Sequence, residues 1–383
     1  MNLDTSDRIG RVAPSATLAI SNAASALEAD GVDVVDLSVG EPDFDTPENI
    51  KAAAEEALAA GHTGYTQSAG IPALREAIAD KLAADGLDQY GPESVMVTPG
   101  AKQALYEIFQ TLVDDGDEVV LLDPAWVSYE AMVKLAGGSL QRVDTAQYDF
   151  RLEDSLGDLH AAVSQDTELL VLNSPGNPHG TVYSRSALEG VRDLASEYDV
   201  TVISDEIYGQ ITYDGKPHRI GTLEGMRDRT ITVNGFSKAY AMTGWRLGYY
   251  AGSEELISEA GKLHGHSVSC ATNFVQHAGV EALQNTDEAV TEMVAAFRER
   301  RDLLVDRLAD RGVDVTPPQG AFYMMVPVDD DDQAWCERAI EEAHVAAVPG
   351  SAFGTPGYAR FSYAASQNRL EEAIDRLAAE DLL

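Results

Sequence analysis

Three short apolar runs of this chain each stop at residues that can do chemistry. Residues 169–173 (LLVLN) lead into Asn173-Ser174-Pro175-Gly176-Asn177-Pro178, and 200–204 (VTVIS) into Asp205-Glu206-Ile207-Tyr208. Residues 230–234 (TITVN) lead into Gly235-Phe236-Ser237-Lys238, with Arg246 eight residues beyond the lysine. Taken singly these are ordinary, since an Asn-Pro pair is usually a turn, an Asp at a strand end a cap and a lone Lys a surface residue. Together they gather an amide, a carboxylate, a phenol, a hydroxyl, an amine and a guanidinium beyond successive strand ends, which is where open α/β sheets bind ligands. Lys238 carries the most information. The chain has seven lysines among 27 cations, and this one is flanked by Phe236, Ser237, Ala239 and Tyr240. A partly buried ammonium has a lowered pKa and becomes a nucleophile toward an aldehyde, forming a Schiff base.

The aldehyde that suits the remaining groups is pyridoxal 5′-phosphate. Asp205 would keep its pyridine nitrogen protonated and so make the ring a better electron sink. Asn177 and Tyr208 could hydrogen-bond its phenolic oxygen. The phosphate needs donors, and Thr98-Pro99-Gly100-Ala101-Lys102-Gln103 lies between an apolar run and a helical pattern. Free backbone N–H groups and the positive helix end at Gly100, Ala101 and Lys102 would hold an anion there. Ser237 and Arg246 would add a hydroxyl and a charge-assisted contact. Trp126, just past the Asp123-Pro124 turn, could stack on the pyridine face.

The elements that must position these groups are legible in outline. Thr46-Pro47-Glu48 predicts a capped helix start, with Ile50, Ala54, Ala57 and Leu58 on one face. Residues 94–98 read as a strand and Leu105, Ile108, Phe109 and Leu112 as the helix after it. Runs at 118–122, 169–173, 200–204, 230–234 and 247–251, mostly separated by helical segments, predict an α/β fold with a mostly parallel central sheet and helices on both faces. After about residue 285 the texture changes. Val290, Met293, Val294, Phe297, Leu304 and Leu308 mark a long helix, followed by a strand at 320–326, another helix, a strand near 359–363 and a closing helix with Leu370, Ile374 and Leu377 inward. The expected division is a large domain over 46–285 and a smaller α+β domain from 1–45 and 286–383. The acidic patch Asp329–Asp332 reads as a solvated turn.

Composition bounds the partners. Of 383 residues, 64 are Asp or Glu against 27 Lys or Arg, a formal net charge of −37 and a pI of about 4.3. Such a surface repels phosphate backbones and anionic membranes, so no nucleic acid and no membrane is expected as a partner. No apolar run approaches the roughly 18 residues of a membrane span, and the N-terminus lacks a signal-peptide pattern, which predicts a cytoplasmic protein. Cys270 and Cys336 stand far apart without metal-type neighbours, so neither a disulfide nor a metal site is expected. Dense acidity with few lysines also suits a salt-filled cytoplasm, because at about 1 M salt the Debye length falls to about 3 Å and self-repulsion is screened.

The ordered stretches LSVGEPDFDTPENI, GYTQSAGIPALREAI, VTPGAKQALYEIF, NSPGNPHG, SDEIYGQITYDG, NGFSKAYAMTGWRLGY, GAFY and VPGSAFG…GYARFSYA resemble the fold-type I, class I pyridoxal-phosphate aminotransferases, most of all the prokaryotic aspartate aminotransferase branch. The resemblance runs from about residue 8 to 378. It implies Lys238 as the Schiff-base lysine and proton shuttle, Asp205 at the pyridine nitrogen, and Tyr208 with Asn177 at the phenolic oxygen. Gly100, Ala101, Lys102, Ser237 and Arg246 fall at the phosphate and Trp126 under the ring. Arg360 matches the arginine that grips the substrate α-carboxylate, a task for a planar bidentate donor. Gly40, Trp126 and Asn177 match residues around that substrate. Tyr65 matches a tyrosine that reaches the cofactor phosphate of a neighbouring subunit, which implies a homodimer with shared active sites.

The resemblance further implies transfer of an α-amino group from an amino acid, L-aspartate in the first instance, to a 2-oxo acid such as 2-oxoglutarate, with ping-pong kinetics. Aromatic or alanine aminotransferases on the same scaffold, and a pyridoxal-phosphate C–S lyase, share the same motifs. Two departures matter. Gly176 and His179 stand where the family more often has Ser or Thr, which should change loop stiffness rather than chemistry. Ala13 stands where close relatives often carry a Lys tied to larger dicarboxylic substrates such as prephenate, while Lys102 remains as a contact for a distal carboxylate.

Overall fold

Apolar runs buried on both faces must be strands of a sheet covered on both sides. The computed structural model, which describes residues 4–329 and 331–383, bears this out. A two-residue strand, β1 (Val35–Asp36), precedes a seven-stranded sheet. Its strands are β2 (Val95–Thr98), β3 (Glu118–Asp123), β4 (Ser139–Asp144), β5 (Thr167–Asn173), β6 (Thr201–Asp205), β7 (Thr230–Gly235) and β8 (Gly248–Ala251). Their spatial order is β2-β8-β7-β6-β5-β3-β4, all parallel where they pair except β8, which runs antiparallel between β2 and β7.

The two-residue period of a strand divides the core. Val119 and Leu121 of β3, with Leu169 and Val171 of β5, pack beneath Leu105, Ile108 and Phe109 of the helix Ala101–Leu112. Val120, Leu122, Leu170 and Leu172 face the other way, against Leu188, Val191 and Leu194 of the helix Arg185–Tyr198. No apolar run announces β4. It is the polar edge strand, SLQRVD, and of its side chains only Val143 is buried.

The rest of the chain adds β9 (Tyr323–Pro327), β10 (Val345–Ala346), β11 (Val348–Pro349) and β12 (Tyr358–Ser362), with β12 antiparallel between β11 and β9. The long helix Asp287–Ala309 buries Met293, Phe297, Leu304 and Leu308, and the closing helix Gln367–Ala379 buries Leu370, Ile374 and Leu377. Val35 and Leu37 belong to the same core, and β1 pairs in parallel with β10. Among the described residues no helix is long and apolar enough to cross a membrane.

Three local expectations are corrected. The helix Glu48–Ala59 has Pro47 at its cap position and no side-chain cap. Thr46 instead donates to the Ala241 carbonyl at 2.6 Å and accepts from Trp245 Nε1 at 3.0 Å, so long-range partners win over the local cap. Leu58 of that helix is exposed, while Ile50, Ala54 and Ala57 alone form the inward face. The acidic patch is not a solvated turn throughout. Asp331 caps the helix Asp332–Glu341, and Asp332 is buried and accepts from the Ser351 N–H at 2.5 Å; Asp330 lies outside the described residues.

Candidate active site

Parallel strands that end at one edge leave their following loops side by side, and here those loops line a cavity of about 540 Å³. Asn173 and Asn177 reach it from the end of β5, Asp205 and Tyr208 from β6, and Ser237, Lys238 and Arg246 from the loop after β7. Ala101 and Lys102 open the helix on its floor, and Trp126 lines a side. Ser38, Gly40 and Glu41 enter after β1, and Tyr323 and Arg360 come from β9 and β12. The residues singled out from sequence are thus brought together, with two exceptions. Gly100 sits just behind the wall, and Tyr65 lines no part of its own chain's cavity, its side chain being 89% exposed.

Lys238 is half-buried and donates to the Gly40 carbonyl, with its nitrogen 5.7 Å from the Tyr208 ring centre. Burial holds its pKa down at about 8, with the positive charges of Arg360, Arg246 and Lys102 pushing the same way and Glu41 opposing. Near neutrality a usable fraction of the amine is therefore uncharged. Asp205 is buried, and burial pushes its pKa up to about 6 against the lowering effects of Tyr129, the Ile207 N–H and Lys238. Tyr129 donates to Oδ2 at 2.6 Å and the Ile207 N–H reaches Oδ1 at 3.2 Å. This carboxylate is a buried acceptor that a cation or N–H donor would stabilise.

Arg360 is buried, with Nη1 donating to Asn177 Oδ1 at 3.2 Å and Nη2 to the Ser38 carbonyl. Among the described residues its Nε has no partner. With five N–H donors and two so engaged, the guanidinium keeps capacity for a carboxylate. Asn177 is held in turn, its N–H donating to Asn173 Oδ1 at 2.8 Å. Glu41 accepts from Thr243 Oγ1 at 2.7 Å, which, with the two bonds of Thr46, ties residues 41–46 to the loop after Lys238.

The residues present fit pyridoxal 5′-phosphate. No side chain caps the helix Ala101–Leu112, so its first N–H groups are available to an anion. Gly100 has φ +87°, and a Cβ there would stand 2.5 Å from an Arg246 nitrogen, so glycine is what lets the guanidinium close on the helix start. Lys102 lies 4.9 Å over the Trp126 ring, its pKa lowered by burial and by Arg246. Ser237 is buried at the same end.

Sequence reasoning did not assign Tyr129, Tyr323, Asn173, Glu41 or Thr243. Tyr129 lies three residues after Trp126 in the first turn of the helix Val127–Ala136, and nothing in its neighbours signals a carboxylate partner 76 positions away. Tyr323 closes the GAFY stretch, and its hydroxyl lies 2.9 Å from that of Tyr208. Its signal was that stretch, without an assigned role.

Known proteins resemble this chain over nearly its whole length. The family model for "Aminotransferase class I and II" matches residues 32–377. The chain is 40% identical over 383 residues to an aspartate aminotransferase of Bacillus sp. strain YM-2, covering 97% of both chains. It is 43% identical over 379 residues to the aspartate/prephenate aminotransferase of Thermus thermophilus, again covering 97% of each. A solved structure of the Thermus thermophilus aspartate aminotransferase with maleate superposes with a TM-score of 0.95 at 42% identity, covering 98% of this chain and 99% of that one.

Proposed function

This chain belongs to the class I and II aminotransferases, and from that premise we propose that it moves the amino group of L-aspartate to 2-oxoglutarate. Its reaction class is pyridoxal-phosphate-dependent transamination. When bound, the cofactor supplies an aldehyde that condenses with amines and a pyridine ring that takes up an electron pair. The chain's own residues then have separate tasks. Arg360 and Asn177 orient the substrate carboxylate, leaving the α-carbon toward Lys238. Lys238 would hold the cofactor's aldehyde through Nζ and, when that nitrogen is free, would accept the α-proton there. Asp205 would hold a proton at the ring nitrogen, and Tyr208 with Asn177 would donate to the phenolic oxygen. Lys102, Ser237, Arg246 and the first N–H groups of the helix Ala101–Leu112 take the phosphate. Both half-reactions use one cavity, so the first product leaves before the second substrate enters.

The observation that favours a dicarboxylic donor is that Lys102 shares the cavity with Arg360 and that Thr17 and Ser21 line it too. Ala13 leaves the larger prephenate without its lysine. The test is kcat/KM for a panel of donors, aspartate, glutamate, alanine, tyrosine and phenylalanine, against 2-oxoglutarate. A preference for alanine or the aromatic donors sinks the aspartate assignment. Pyruvate and ammonia released from cystathionine would instead mark a C–S lyase.

A homodimer with shared sites is part of the same reading. What supports it is Tyr65, 89% exposed, with Leu58 of the preceding helix 44% exposed. We further assign the enzyme to a cytoplasm rich in salt, on the net charge of −37. Full activity and dimerisation in dilute buffer would overturn that. The division into residues 46–285 and residues 1–45 with 286–383 is supported by the pairing of β1 with β10 and by the core that Val35 and Leu37 share with the C-terminal elements.

A further inference from the structure

We propose that Tyr323 is a positioning residue with two separable parts, a hydroxyl that directs the proton of Tyr208 and a ring that seats the guanidinium of Arg360. Tyr323 opens β9 and is fully buried. Arg360 of β12 pairs with Met325 and Ser362 with Tyr323. Residues two apart on a strand share a face, so Tyr323 and Arg360 are diagonal neighbours across the pair. The guanidinium carbon lies 4.5 Å from the centre of the Tyr323 ring, a cation–π contact.

At its other end the Tyr323 hydroxyl lies 2.9 Å from that of Tyr208, and it packs behind Gly40, where a Cβ would stand 3.5 Å from it. A phenol has one proton to give. Tyr208, in the role assigned above and on which this inference rests, spends that proton on the cofactor's phenolic oxygen. The bond between the phenols then persists only with Tyr323 as donor. Arg360 favours this polarity, since a positive charge beside a phenol makes it a stronger donor. The guanidinium lies against the Tyr323 ring and is the main lowering influence on that phenol, whereas on Tyr208 its effect is outweighed by the raising influence of Tyr323. The other ionisable groups facing the pair are Glu41 after β1, Asp205 at the end of β6, Lys238 after β7 and Tyr363 beyond β12.

The experiment uses the protein reconstituted with pyridoxal 5′-phosphate, its visible absorbance titrated against pH, and maleate as a dicarboxylate probe measured by calorimetry. Tyr323→Phe removes the hydroxyl alone. The phenolic oxygen then loses part of its donor, holds neighbouring protons more tightly, and the absorbance midpoint rises by about half a pH unit or more, while maleate affinity stays within about threefold. Tyr323→Leu removes the ring as well, and maleate binding weakens about tenfold. A residue that merely fills space would lower the melting temperature and leave the midpoint of Tyr323→Phe where it was, which overturns the role of the hydroxyl. Unchanged maleate affinity in Tyr323→Leu overturns the role of the ring. Should that variant not fold, Tyr323→Met, which keeps most of the volume without the aromatic face, decides the ring by the same affinity. For the hydroxyl, Tyr208→Phe and the Tyr208→Phe/Tyr323→Phe pair decide: equal midpoints support the relay, additive shifts overturn it. A wild-type protein with no pH-dependent visible band sinks the cofactor assignment and the inference with it.

Discussion

Tyr129 donates a 2.6 Å hydrogen bond to Asp205, from a helix on one side of the cavity to the end of the strand that carries its central acid. Burial raises Asp205 to about 6, and the hydrogen bond from this phenol is the main effect pulling it back down. Tyr129→Phe should therefore raise Asp205 further. The acid limb of the kcat profile is expected to move up by about one pH unit, with turnover at pH 7 reduced about twofold. An acid limb that stays in place would reduce Tyr129 to a packing residue.

The raised pKa of Asp205 has a counterpart in stability. An acid whose pKa folding raises contributes fully below its ordinary value of 3.8 and loses that contribution as pH climbs through about 6. The difference is worth about 3 kcal/mol. Cofactor-free Asp205→Asn is thus expected to be more stable than the wild type at pH 8 and no more stable at pH 3.5, read by urea unfolding at both. A variant less stable at pH 8 contradicts the desolvation account.

Lys238→Ala leaves the cavity without its amine. The variant should bind pyridoxal 5′-phosphate without the visible band of the attached cofactor and lose turnover by a factor of about a thousand or more. Normal activity would refute the central assignment.

Arg360→Lys keeps the charge and loses the planar fork that spans Asn177, the Ser38 carbonyl and the substrate carboxylate. KM for the amino acid should rise about a hundredfold, while the absorbance spectrum without substrate is preserved. A KM within a few-fold of the wild type would argue that another group takes the carboxylate.

Gly176 and His179 form a matched pair. His179 is buried, accepts from the Thr181 N–H at 3.1 Å and stacks on Phe150, and a Cβ at Gly176 would come within 2.2 Å of its ring. Gly176→Ala is expected to cost about 1–3 kcal/mol in thermal or chemical unfolding, and His179→Thr in the same chain to restore most of it. Failure of that rescue would mean that the glycine serves backbone conformation rather than the imidazole.

The order of β strands and long helices was readable because a buried parallel strand and an amphipathic helix each write their period into consecutive residues. β3 shows it plainly, with alternate residues feeding two cores. The polar edge strand Ser139–Asp144 carries no such period and was silent. In the cavity, Lys238 and Asp205 were visible because each is a charged group where burial demands a reason, and Arg360 only through the resemblance carried by the stretch GYARFSYA. Tyr129 and Tyr323 were not, since a buried tyrosine is ordinary and only the fold discloses what its hydroxyl meets. Thr46 and Asp332 misled for the converse reason. Local chemistry offered each a simple role, a helix cap and a solvated turn, and partners brought in from afar claimed them instead.

The three bonds that tie residues 41–46 to residues 241–245 join positions 195 to 202 apart in the chain. During synthesis the early segment must therefore wait for roughly half of the protein before its partner exists. Contacts so distant in sequence are the slow ones to form, because loop closure has to precede any gain from them. The strands around β5 and β6 can pair locally well before that. Competence to take up the cofactor should consequently be among the last properties a refolding chain acquires, later than recovery of its secondary structure.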